Sequence, residues 1–140
     1  MGQNAKLLLI NGIILGIVAF LQFGFDFASY FVGIGPMGAP LHGNLDAIGY
    51  AEAHGLAAIF AVLFVLRRND QFAGWHAVAG CLHLLLGTCN VIFWPVFLSG
   101  PVASVGGLLA TLMHAVFAVL QLWAFVRSFP GTTSRSVVLV

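Results

Sequence analysis

Four apolar stretches, at residues 7–32, 47–66, 74–97 and 102–125, take up most of this chain. Each holds roughly 20 or more mainly apolar residues, the length a helix needs to cross a hydrocarbon layer of about 30 Å. Inside them only Asp26 and Glu52 are charged acids, and no Lys or Arg occurs. Backbone in lipid must satisfy its own hydrogen bonds, so an isolated apolar stretch of this length is read as a helix. Composition supports lipid as the solvent. Charged residues make up 6% of the chain and apolar ones 61%, against about 25% charged in ordinary soluble domains. The net charge of +1 points away from a nucleic-acid partner.

The breaks between the stretches are chemical. Gly35-Pro36-Met37-Gly38-Ala39-Pro40 interrupts a helix because proline lacks an amide hydrogen and clashes with the preceding turn. Arg67-Arg68-Asn69-Asp70 is a short polar turn, and Ser99-Gly100-Pro101 divides the last two stretches. Pro95 is expected to kink the third span or end it early. Connections this short favour an up-down-up-down four-helix bundle. The apolar run after Lys6 passes Phe20 without a compact A-x-A cleavage site, so the first stretch reads as a retained helix.

Every basic residue falls on one side of this layout. Lys6 precedes the first span, Arg67 and Arg68 lie between the second and third, and Arg127 and Arg135 follow the fourth. The positive-inside rule then places both termini in the cytoplasm, the expected setting being a bacterial inner membrane. Trp75 and Trp123 fit the inner aromatic belt and Trp94 the outer one. Residues 1–127 form one transmembrane domain. Residues 128–140 form a short Ser/Thr-rich tail expected to lack order.

Ionisable groups at membrane depth are costly, from about 2.5 kcal/mol upward at the bilayer centre. His54, His83, His114, Asp26 and Glu52 therefore need a reason to be there. His54 and His114 each stand thirteen residues before an arginine, Arg67 and Arg127, and His83 stands thirteen beyond Asp70. At about 1.5 Å per residue all three should lie level, roughly 20 Å from the cytoplasmic edge. Periodicity gives their facing. His76, Gly80, His83, Gly87, Asn90 and Trp94 form one seam of the third span. Gly107, Thr111, His114, Ala118 and Gln121 do so in the fourth, and Tyr50, His54, Ala57 and Ala61 in the second. Gln22, Asp26 and Ser29 make a shorter stripe in the first. Four polar stripes imply one shared polar interior. Glu52 lies about 200° around the helix from His54 and faces elsewhere.

Four uses of such an interior follow. A b-type haem needs axial ligands on facing helices, which His54 and His114 would supply, with His83 beside them. Gly55, Gly80, Gly87, Ala57 and Ala118 would leave room for the porphyrin, and Phe60, Phe64, Phe93 and Phe117 would pack on it. That reading is electron transfer in the membrane, with quinone or another membrane subunit as partner. Its ligand placement resembles that of membrane b-type cytochromes in general, with no extended motif shared. A transition metal ion (zinc, copper or iron) on His54, His83 and His114 is the second use, open to enzymatic chemistry, with Glu52 or Asp26 as supporting groups. Proton or solute passage along Asp26, Glu52 and the histidines is the third. Four helices line only a narrow path unless the chain forms a homo-oligomer. The fourth is structural: polar side chains and small residues that join helices, as in an auxiliary subunit of a complex. His76 is expected at the interface, in contact with water or headgroups. Cys81 and Cys89, eight residues apart on one span, lie too far from each other for a disulfide and read as packing residues.

Overall fold

The computed structural model describes residues 2–70, 72–98 and 101–128, so the turn at Ser99-Gly100 and all of the tail beyond Ser128 lie outside the described residues. Its elements are helices: α1 (Gln3–Val32), α2 (Gly38–Leu41), α3 (Ala47–Arg67), α4 (Gly74–Ile92), α5 (Trp94–Phe97) and α6 (Pro101–Arg127). Four of them, α1, α3, α4 and α6, are long and apolar enough to cross a membrane. They pack as two pairs, α1 on α3 and α4 on α6, with lighter contact between α1 and α6 and between α3 and α4.

The polar interruptions set the ends. α1 stops at Gly33, whose φ of 68° is a left-handed conformation that suits glycine. Gly33 N–H donates to Ser29 O at 3.0 Å and Ile34 N–H to Ala28 O at 3.3 Å, which satisfies carbonyls the helix end would otherwise leave open. The Gly/Pro-rich connection holds one helical turn, α2, where a simple break is expected. Pro40 sits inside it without penalty, because amide hydrogens in a first turn have no helical partner anyway. Pro95 ends α4 early. The helix stops at Ile92, and the residues to Phe97 turn off as α5, so the third span is shorter than residues 74–97. Pro101 opens α6, where its fixed φ and missing N–H are harmless.

The α1–α3 seam is built from Leu8, Leu15 and Ala19 against Ala57, Ala58, Ala61 and Phe64, with Ala79 of α4 joining them. Alanines bring the backbones close, which suits packing where lipid supplies no hydrophobic drive between helices. Ile17, Phe20, Leu85 and Val119 are among the many large apolar side chains that face outward. An outward apolar surface around a partly polar interior is the build of a membrane bundle.

Candidate functional site: polar rungs inside the bundle

Three of the hydrogen-bonded side-chain pairs that join helices set out the site. His76 of α4 donates from Nδ1 to Gln121 Oε1 of α6 at 2.5 Å. Seven residues after His76 and seven before Gln121, His83 and His114 meet with their Nδ1 atoms 2.9 Å apart. Seven residues of helix span about 10 Å, so α4 and α6 carry two rungs of one ladder. The third pair joins α1 to α3: His54 Nδ1 lies 2.6 Å from Asp26 Oδ2. His83, His76, His114, Gln121 and Asp26 are buried, and His54 is about a third exposed at its side chain (30%).

The seams named from sequence bring these groups together. His76, Gly80 and His83 of α4 are buried. Gly107, His114, Ala118 and Gln121 of α6 are buried too. A Cβ placed on Gly80 would meet Leu122 Cγ and Cδ2 at 2.7 Å. Glycine there makes room for Leu122, and Gly87 makes room for the His114 Cβ, which a Cβ on Gly87 would meet at 3.2 Å.

The acceptors decide where the protons sit. Asn11 Oδ1 of α1 lies 2.7 Å from His83 Nε2. An amide oxygen only accepts, so His83 carries its hydrogen on Nε2 and presents a lone pair at Nδ1. The hydrogen in the His83–His114 contact then belongs to His114 Nδ1, which leaves a lone pair on His114 Nε2. The Asp26 carboxylate oxygen likewise faces His54 Nδ1, and His54 Nε2 lies outside that contact. For neutral rings the chain from His114 through His83 to Asn11 selects one tautomer each of His83 and His114. His83 is also stacked on Phe117, ring centres 5.2 Å apart and planes 21° from parallel.

Two buried amide nitrogens, Asn11 Nδ2 and Gln121 Nε2, have no hydrogen-bond partner among the described residues. A buried donor left unmet costs about 1–3 kcal/mol, so each marks a place for a water or another acceptor.

Several expectations change here. His76 is not at a wet interface; it is buried on Gln121. His54 does not join His83 and His114. It pairs with Asp26, although it lies within electrostatic reach of His114. Among the described residues no three His, Cys, Asp or Glu side chains converge on a point that would hold a metal ion. The small residues offered as porphyrin space are filled by neighbours. Gly55 lies against Phe23, Gly80 against Leu122 and Gly87 against the His114 Cβ. Phe64 is fully buried in the α1–α3 core and Phe93 faces outward. Cys81 is exposed and Cys89 half-buried, both as free thiols. Asn11 was not among the stripes, yet it is fully buried and holds His83. It lies on the α1 face with Leu8, Leu15 and Ala19, at steps of three and four residues, and that face continues to Asp26 and Ser29.

Two cavities flank the rungs. One of about 500 Å³ is lined by Asn4, Arg68, Asp70, His76 and Ser128, among others. Asn4 Nδ2 there donates to Ser128 Oγ at 3.2 Å. The other, a groove of about 760 Å³ between α1 and α3, includes Asp26, Glu52, Phe23, Phe27 and Tyr30 in its lining. No family model matches the chain, and neither a curated protein nor a solved structure matches it.

Proposed function

We propose that this is a four-span, up-down-up-down integral membrane protein whose interior histidines pass protons. The carrying observation is the His83–His114 contact of 2.9 Å, two rings linked nitrogen to nitrogen inside an apolar bundle. Ionisable groups at membrane depth are expensive and mark ion or proton paths when they line one another. The packed interior favours a use that needs no bulky guest.

The transfer balances in one step. His114 Nε2 accepts a proton, His114 Nδ1–H passes to His83 Nδ1, and the Nε2–H of His83 passes to a water that takes the place of Asn11 Oδ1, an amide oxygen that accepts a hydrogen bond but not the proton itself. One proton enters and one departs. Both rings end in the opposite tautomer and must reset before the next transfer. The His76–Gln121 rung would continue the path to the cavity at Arg68 and Asp70. The His54–Asp26 pair would continue it to the α1–α3 groove. Waters on Asn11 Nδ2 and Gln121 Nε2 would bridge the gaps.

The orientation follows the charges. Lys6, Arg67, Arg68 and Arg127 flank the ends of their helices on the side where Asn4 meets Ser128, which supports cytoplasmic termini in a bacterial inner membrane.

A second reading rests on the same contacts. His54 and His114 each have Nδ1 engaged by a protein partner and Nε2 outside that contact, the arrangement of an imidazole that ligates a metal. A b-type haem or a transition metal ion held by these two residues would add electron transfer, with quinone or a neighbouring membrane subunit as exchange partner. A haem would require Leu122, Phe23 and His114 to leave the positions they fill beside Gly80, Gly55 and Gly87, which is why it stands second.

Purified protein in liposomes loaded with a pH-sensitive dye tests the first reading. Under an imposed potential the intact chain should acidify or alkalinise the lumen, and His83→Gln and His114→Gln should each slow this at least about tenfold, within the range of lost proton-transfer groups. Flux equal to that of empty liposomes would refute it.

A further inference from the structure

The groove between α1 and α3 is an unusual surface for a membrane protein. Its lining is nearly all apolar, yet it contains two carboxylates, Asp26 and Glu52. Asp26 is buried and held by His54. Glu52 is exposed in the groove, with no ion pair or side-chain hydrogen bond among the described residues. Neither Lys nor Arg occurs anywhere between Lys6 and Arg67, so no basic side chain of α1 or α3 beyond those two ends stands ready to compensate it. The wall opposite is aromatic. Phe23 and Phe27 meet edge to face at 5.0 Å, Phe27 stacks on Phe31 at 6.5 Å, and Tyr30 stands edge-on to Phe31 at 4.9 Å.

We propose that this groove binds a lipophilic monovalent cation, a quaternary ammonium, phosphonium or protonated amine carried on apolar groups. Charge complementarity selects it. A carboxylate facing lipid is either protonated or paired with a cation, and aromatic faces attract a cation that has lost its water. Apolar substituents on the ligand would replace lipid along Ile48, Leu56 and Ile59. A volume of about 760 Å³ lies within the range of small-molecule sites. A neutral lipid tail would fill the apolar length but leave Glu52 without a counter-charge.

Binding forms no covalent bond: the cation lies against the Glu52 carboxylate and the aromatic wall, and no other reactant is needed. The site does not depend on the proton path through His83 and His114, and a chain that fails to conduct protons leaves it untouched.

The test uses the full chain in detergent, with tetraphenylphosphonium as probe, followed by equilibrium dialysis. The expected result is saturable binding. Glu52→Gln should weaken it at least about tenfold, as removal of a desolvated charge partner does. Glu52 is exposed, so this variant keeps the fold, which circular dichroism checks. Phe27→Leu should weaken binding about three- to tenfold. Binding that never saturates, a Glu52→Gln chain that binds as well as the intact one, or equal binding of neutral triphenylphosphine oxide would each overturn the proposal. So would a stable dimer that buries the groove and binds no probe.

Discussion

His83 and His114 touch through their Nδ1 atoms at 2.9 Å, and the far nitrogen of His83 is held by Asn11 at 2.7 Å. One ring therefore has both nitrogens engaged by protein while its neighbour keeps one lone pair. This asymmetry makes His114 the donor and His83 the acceptor in the contact between the neutral rings.

Asn11 should behave as a fixed acceptor. Asn11→Leu leaves a buried His83 N–H unmet and should cost about 1–3 kcal/mol of stability. The double variant Asn11→Leu/His83→Leu removes both partners and should recover part of that loss. Thermal unfolding in detergent reads both. Additive losses in the double variant would show that the contact does not matter.

Close approach of α1 and α3 should tolerate no side chain at Gly12. A Cβ there would meet Ala61 O and Val65 Cγ2, each at 2.8 Å. Gly12→Ala should lower stability by about 1–3 kcal/mol, the usual effect of overpacking. Gly24→Ala, with nothing within 4 Å of the added atom, should be neutral or slightly stabilising. Equal melting temperatures for the two variants would contradict the packing described.

The turn between α3 and α4 should contribute a small acid limb. The Phe72 amide hydrogen bonded to Asp70 Oδ1, then the Trp75 indole N–H on Oδ2 and the nearby Arg67, hold the Asp70 carboxyl below its ordinary value. A lowered carboxyl stabilises the folded state above the unfolded value, and that contribution fades as pH falls through the folded one. Asp70→Asn should remove this contribution, so the variant is slightly less stable at neutral pH and converges with the intact chain below about pH 4. A pH profile identical to that of the intact chain would contradict it.

The two readings of the histidines differ in an absorption spectrum. If protons alone are handled, the purified chain shows no Soret band, oxidised or dithionite-reduced, even after expression with ample haem. A Soret band with sharpened reduced α and β bands would instead favour the second reading. It should then be lost in His54→Ala and His114→Ala and largely kept in His83→Ala. Bound metal without a haem spectrum, lost in the same two variants, would favour the ion.

Much of this was legible in the chain because lipid simplifies the physics. With 6% charged residues, four helices long and apolar enough to cross a membrane follow from length and hydropathy. The seams of α4 and α6 were legible too, since His76, His83, His114 and Gln121 recur at helical spacing. What periodicity could not supply is partner choice. His54 faces inward as expected, but whether it meets His114 or Asp26 depends on how α3 rolls against α1, which alanines at Ala57, Ala58 and Ala61 permit and a count of residues does not reveal. Gly80 and Gly87 likewise suggested empty space, yet glycine equally lets a neighbour approach, and here Leu122 and His114 do so. Asn11 escaped because a lone amide in an apolar run carries no signal until its partner ring is placed.

Proton flux into dye-loaded liposomes tests the central claim most directly. The intact chain should conduct, and His83→Gln should conduct at least about tenfold less while keeping its helical spectrum. Flux at the level of empty liposomes, or flux in His83→Gln equal to that of the intact chain, would contradict a proton path through the His83–His114 pair.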